Sequence, residues 1–93
     1  MSSTIFLFIM TIPKLFITDG ESARAHRRKL GLNQQQFWSR LGVTQSGGSR
    51  YESGRDLPLP VLMLLHIAYA PDRKSQSLID YLRGNEADRT ESE

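Results

Sequence analysis

From residue 18 onward, apolar residues recur at three- and four-residue spacing, which is typical of helices with one face on a core. Thr18 and Glu21 have the spacing of a capping box, so a first helix is expected to begin at Thr18 or Asp19. It should end at Leu30, because Gly31 is suited to the left-handed cap. The pattern predicts four further helices, over 34–41, over 45–53, from about Pro60, and over about 75–83. No strand pattern follows residue 18, so the predicted fold class is all-α with five helices.

The fourth helix is apolar almost all round. Leu62, Leu65 and Tyr69 form one stripe, and a single stripe is enough to face a core. A surplus stripe remains, made of Met63, Leu64 and Ile67. A surplus apolar stripe on a small domain indicates either a central buried helix or a subunit interface.

The two ends of the chain differ from its centre. We expect an apolar N-terminal extension at 1–17, a helix-turn-helix-sized domain at 18–84 and a disordered acidic tail at 85–93. The run Ile5–Met10 is too short to span a bilayer and lacks the basic leader of a signal peptide. Two possibilities stay open for it: a strand-like segment that packs on the domain or its twin, or an upstream extension whose natural start is Met10.

Composition and charge narrow the function class. The chain has 93 residues and a net charge of +2. It has no cysteine, which excludes disulfides and thiolate metal sites and suits a cytoplasmic protein. Neither a cofactor nor a metal is expected. Residues 22–55 carry seven basic residues against one acidic residue, Glu52, whereas residues 84–93 carry one basic against four acidic residues. A basic central segment indicates a polyanionic partner.

The spacing of the second and third helices is that of a helix-turn-helix. Asn33 and Thr44 can cap them, and only Gly42, Val43 and Thr44 separate them. The ungapped run Gly31-Leu32-Asn33-Gln34, Leu41-Gly42-Val43-Thr44-Gln45-Ser46 and Ser49-Arg50-Tyr51-Glu52-Ser53-Gly54-Arg55 resembles the XRE family, the phage repressor and Cro type of helix-turn-helix. The resemblance covers about half of the chain and implies a lambda-repressor-like domain whose third helix enters the major groove.

The resemblance also implies which residues touch DNA. Base readers would be Gln45, Ser46 and Arg50, with Ser49 beside them. Glutamine can pair bidentately with adenine, and arginine with guanine. Contacts to phosphates would come from four residues that flank or open the motif: Asn33, Gln34, Thr44 and Arg55.

Four further residues are predicted to be structural. The positions of Arg27 and Glu52 match a family ion pair that ties the first helix to the third. Trp38 stands where the family has alanine or glycine, and Gly48 stands where it has valine or isoleucine. Tryptophan alone would overpack the gap between the two helices, so we interpret the two departures as a size exchange. A degenerate motif with a malformed third helix is the competing interpretation.

The expected function is a sequence-specific transcriptional regulator, most simply a repressor, that binds double-stranded DNA as a homodimer. Catalysis is not expected, because His26 and His66 lie on separate helices and the chain has no P-loop, dinucleotide fingerprint or nucleophile elbow. The main alternative is a helix-turn-helix antitoxin that binds a small toxin protein and represses its own operon. A protein-interaction module that has lost DNA binding is the third possibility.

Overall fold

The computed structural model describes residues 12–84. Within this range the chain forms five helices and no strand, which confirms the all-α prediction. The helices are α1 (Gly20–Lys29), α2 (Gln34–Ser39), α3 (Gln45–Glu52), α4 (Leu59–Tyr69) and α5 (Asp72–Arg83). Residues 1–11 of the predicted extension and the predicted tail at 85–93 lie outside the described residues, and the boundary at residue 18 stays a prediction.

The predicted capping box of α1 is wrong by one residue. Asp19, not Thr18, is the N-cap: its carboxylate accepts a hydrogen bond from the backbone N–H of Ser22 at 2.8 Å. The Ser22 hydroxyl in turn accepts from the Asp19 backbone N–H at 3.3 Å. Since α1 begins at Gly20, the third helical residue is Ser22, and Glu21 is not placed to close the box.

The helix-turn-helix unit is formed by α2 and α3. Asn33 caps α2 by accepting from the backbone N–H of Gln36, and Thr44 caps α3 by accepting from that of Gly47. The end of α2 was predicted two residues late. The backbone N–H groups of Leu41 and Val43 both donate to the carbonyl of Trp38, which closes the turn and prevents a further helical bond.

The start of α5 was predicted three residues late, at Ser75 instead of Asp72. Pro71 precedes the helix with φ of −55°, a conformation that proline fixes and that suits a helix start. Ser75 is buried, and its hydroxyl lies within hydrogen-bond distance of three carbonyls at the end of α4, of which the nearest is that of Ala70 at 3.0 Å. Ser75 therefore ties α5 to α4.

The core lies between α1, the helix-turn-helix unit and α4. Its fully buried members are Ile17, Ala23, Phe37, Trp38 and Leu65. Tyr69 stacks on Phe37 with ring centroids 4.2 Å apart, and its hydroxyl donates to the Phe37 carbonyl at 2.6 Å. In the predicted surplus stripe of α4, Met63 and Ile67 are half-buried and Leu64 is exposed.

Residues 12–17 pack onto this core ahead of α1. Ile17 is buried, and the backbone N–H of Phe16 donates to Nδ1 of His66 at 2.9 Å. Because Nδ1 accepts, Nε2 carries the hydrogen and donates to the Lys74 carbonyl at 2.9 Å. Through its two ring nitrogens, His66 therefore joins α4 to the segment ahead of α1 and to the first turn of α5. His26 is half-buried between Phe16 and Tyr69, and its burial, with the charge of Lys29, lowers its pKa.

Within residues 12–84, no helix is both long and apolar enough to cross a bilayer.

Candidate nucleic-acid interface

The predicted base readers share one open face of α3. Gln45, Ser46 and Arg50 are exposed and Ser49 is half-exposed. All four line a single shallow depression on the surface. Because side chains three and four residues apart are neighbours on a helix, the first two turns of α3 present these polar groups together.

A second depression adjoins the first and contains two of the predicted phosphate contacts. Asn33 and Gln34 line it, and Gln45 belongs to both depressions. The Asn33 side-chain oxygen is occupied by the cap bond, at 2.8 Å from the Gln36 backbone nitrogen, so its amide nitrogen is the group that can donate to a phosphate. The start of α2 and the start of α3 therefore meet on one surface.

Of the other two predicted phosphate contacts, Thr44 caps α3 and Arg55 lines a different depression. The hydroxyl oxygen of Thr44 accepts the Gly47 backbone N–H at 3.0 Å, so any phosphate contact of Thr44 would use its O–H as a donor. Arg55 is exposed beyond the end of α3 and lines a depression with Asp19 and Glu21 at the start of α1. The backbone N–H of Arg55 donates to the Arg50 carbonyl at 3.0 Å, but Arg55 does not line the depression of the predicted base readers.

Beneath the open face, the carboxylate of Glu52 is a buried acceptor for three side chains. Arg27 donates to it twice, from Nε at 2.8 Å and from Nη2 at 2.9 Å. The indole Nε1 of Trp38 donates at 2.8 Å, and the amide of Gln34 donates at 3.2 Å. Burial raises the pKa of Glu52, but these hydrogen bonds and the Arg27 charge outweigh it, so the pKa lies below its ordinary value.

The Trp38 and Gln34 bonds to Glu52 were not predicted from sequence. The resemblance pointed to the Arg27–Glu52 pair alone and placed Gln34 on a phosphate. The Gln34 amide nitrogen has two hydrogens, so one can remain on Glu52 while the other points to a phosphate. Glu52 thereby positions a residue of the candidate interface. One signal could have indicated these donors. A buried carboxylate can accept more hydrogen bonds than one arginine donates, so further donors were to be expected.

Trp38 and Gly48 lie in direct contact. Trp38 is fully buried, and a Cβ atom added to Gly48 would collide with Cδ1 and Cγ of the indole. The indole thus occupies the space that a side chain at 48 would need, and α3 is an intact helix across Gly47 and Gly48. This geometry favours the size exchange over a malformed third helix.

Gly20 is a second close approach, which the sequence pattern did not indicate. A Cβ atom added there would collide with the backbone carbonyl of Tyr51 and lie 3.3 Å from the Cα atom of Glu52. The first turn of α1 therefore packs directly on the end of α3. A glycine in the first turn of a helix, where a capping residue precedes it, was the available signal.

The charge of the surface follows from these contacts. Glu52 is the one acidic residue between positions 22 and 55, and it is buried against Arg27. The other six basic residues of this segment are all exposed: Arg24, Arg28, Lys29, Arg40, Arg50 and Arg55. The segment that contains the helix-turn-helix therefore presents a basic exterior without an exposed carboxylate.

Residues 24–68 match the family model of the RsaL-like HTH domain. The matched range runs from the middle of α1 into the last turn of α4 and includes all of α2 and α3. The chain therefore contains a helix-turn-helix domain of the DNA-binding kind. The match does not single out the XRE family. No curated protein and no solved structure matches the chain.

Proposed function

We propose that this protein is a sequence-specific DNA-binding regulator of transcription, of the XRE type, that inserts α3 into the major groove and acts as a repressor. The observation that carries the proposal is the exposed face of α3, where Gln45, Ser46 and Arg50 lie together on a basic surface. These side chains can read base edges, and the surrounding cations attract the phosphate backbone. The proposed site of action is the cytoplasm, and the proposed activity is binding without catalysis.

The surface next to α3 supports a role in positioning. Asn33 and Gln34 border the same depression as Gln45, so a phosphate bound at the start of α2 would fix the register of α3 on the bases. Thr44 and Arg55 are proposed as outer phosphate contacts on either side of α3. Arg27, Glu52, Trp38 and Gly48 are proposed to hold this surface in shape without touching DNA.

We propose further that the protein binds as a homodimer. One domain with one short recognition helix makes few phosphate contacts, and two copies can read half-sites about one helical turn apart. The exposed Leu64 of α4 is an apolar side chain available to such a contact.

The proposal is tested by selecting duplexes from a random DNA pool with the wild-type chain, Gln45→Ala and Arg50→Ala at low and high salt. We expect a palindromic site for the wild type, altered preference at particular bases in both variants, and weaker binding at high salt. Arg73→Ala removes the same charge from α5, outside the helix-turn-helix unit, and should leave the site unchanged.

Weak binding without a preferred site, unaffected by either substitution, would contradict the proposal. That result would favour the antitoxin alternative, in which the chain needs a toxin partner, and a toxin gene beside this one would then be the decisive observation.

A further inference from the structure

An apolar groove on the domain surface shares no lining residue with the Gln45 depression. Its walls are Ile12 and Leu15 ahead of α1, Leu59 and Met63 of α4, and Tyr81 and Leu82 of α5. The groove has a volume of about 580 Å³, and among the described residues Lys14, Thr18 and Tyr81 contribute polar groups to its lining. Leu59 is 49% exposed and Leu82 is 50% exposed. Two large apolar side chains that are half-exposed in the same groove indicate a surface suited to contact with another apolar group.

The described chain begins inside this groove. Ile17 is buried in the core, and the Phe16 backbone is fixed to His66. These two anchors hold residues 12–15 along the wall, so the chain reaches the groove at Ile12. Whatever precedes Ile12 therefore starts beside exposed apolar side chains of α4 and α5.

The sequence directly upstream has the matching chemistry. Ile5–Met10 consists of isoleucine, phenylalanine, leucine and methionine side chains, and Thr11 alone separates it from Ile12. An extended residue spans about 3.5 Å, so every member of this run can lie within about 25 Å of Ile12. Six large apolar side chains in succession would be costly to leave in water.

We propose that Ile5–Met10 of the same chain docks in this groove and completes the domain. A segment joined to its site by one residue has an effective concentration of about millimolar, which favours it over the same segment of a second copy in dilute solution. The docking does not depend on the proposed DNA-binding function, because none of the groove residues lies on α2 or α3.

A double-mutant cycle on the full-length chain tests the contact. Phe8→Ala and Leu82→Ala should each lower the melting temperature, and together they should lower it by less than the sum, because each removes one side of the same contact. Leu64→Ala is the matched control: Leu64 is 43% exposed on α4 but does not line the groove. Its effect should add fully to that of Phe8→Ala.

A disulfide measurement identifies the occupant. The chain has no cysteine, so Phe8→Cys combined with Met63→Cys introduces the only pair. Oxidation should give a disulfide within one chain at both low and high protein concentration, and Phe8→Cys with Gln35→Cys on α2 should give none. Disulfide-linked dimers that increase with concentration would overturn the proposal in favour of a second copy. Full additivity in the cycle, without a disulfide within the chain, would overturn docking in this groove altogether.

Discussion

Gly48 of α3 lies directly against the indole of Trp38 of α2. A glycine inside a helix costs about 1 kcal/mol relative to alanine, and α3 has two in succession. The buried indole offsets this cost by filling the gap and by donating its N–H to Glu52. Tryptophan at position 38 and glycine at position 48 are thus each unfavourable alone and favourable together.

We expect Gly48→Val to destabilise the protein, although valine is typical of the family that the motif resembles. The added side chain would meet the indole ring, and overpacking of this kind costs about 1–3 kcal/mol. The measurement is the thermal unfolding midpoint, with Ser46→Ala on the exposed face of α3 as control. A midpoint for Gly48→Val at or above that of the wild type would contradict the size exchange.

The same contact predicts strong coupling. Trp38→Ala alone leaves a cavity and an unfilled acceptor on Glu52, with an expected cost of about 3–5 kcal/mol. In the Trp38→Ala background, Gly48→Val should be less harmful than in the wild type, because the valine then enters vacant space. Equal effects of Gly48→Val in both backgrounds would show that the two positions act independently.

Glu52 predicts a pH dependence of stability. Its pKa in the folded protein lies below the ordinary value of 4.5, so its stabilising contribution is present above that value and is lost as the pH falls through the folded-state pKa. Glu52→Gln should lose about 3–5 kcal/mol near neutral pH, because Arg27 remains without its partner. The gap between wild type and variant should narrow below about pH 5.

Urea unfolding of both proteins across the acid range measures this gap. Glu21→Gln, which removes an exposed carboxylate from the first turn of α1, is the control and should run parallel to the wild type. A gap that stays constant with pH would show that the Glu52 charge does not stabilise the fold.

At the scale of the elements, α1 is held against α3 by a backbone contact at Gly20 and by the Arg27–Glu52 ion pair. Gly20 and Arg27 are seven residues apart, which is close to two helical turns, so both lie on the face of α1 toward α3. This arrangement fixes two points of α1, about two turns apart, on the end of α3 at Tyr51 and Glu52.

Gly20→Ala is expected to lower the unfolding midpoint, because the new methyl group would meet the carbonyl of Tyr51, and a backbone atom cannot move as a side chain can. The expected cost is about 1–3 kcal/mol. Glu21→Ala, at the adjacent exposed position, should be nearly neutral by comparison. Stabilisation by Gly20→Ala, as helix propensity alone would give, would contradict the close approach.

Helix starts were predictable where one residue carries the signal and ambiguous where several do. Asn33 and Thr44 stand alone as caps, and α2 and α3 begin directly after them. Before α1, Thr18 and Asp19 are both capable caps, and the helix uses Asp19. Contacts among distant residues, such as Trp38 and Gln34 with Glu52, depend on side-chain geometry that spacing along the sequence does not give.

At the scale of the whole molecule, the net charge of +2 conceals an uneven distribution. Within residues 22–55, burial of Glu52 leaves six basic side chains exposed and no exposed acid. The sequence was sufficient to predict this basic surface, because charge counts need no geometry. It was not sufficient to place Arg55, which lines a depression with the start of α1 and not the depression of the proposed base readers.

Arg50 and Arg55 should therefore respond differently to substitution. Arg55→Ala should weaken binding to all duplexes alike and reduce the slope of log affinity against log salt by about one, the loss of one phosphate contact. Arg50→Ala should change base preference, with a cost of about 1–3 kcal/mol on the selected site alone. Salt titrations on the selected duplex and on a scrambled duplex measure both effects. Identical profiles for the two variants would contradict the division of roles.

The Trp38–Gly48 contact also constrains how this sequence can change over generations. A path from this pairing to a small residue at 38 and a branched residue at 48 must pass through either a clash or a cavity, and a protein with marginal stability tolerates neither well. The two positions are therefore expected to change together. Among homologous sequences, the residue at position 38 should therefore predict the residue at position 48. Sequences with a large residue at 38 and glycine at 48, and sequences with a small residue at 38 and a branched residue at 48, should form separate lineages with few intermediates.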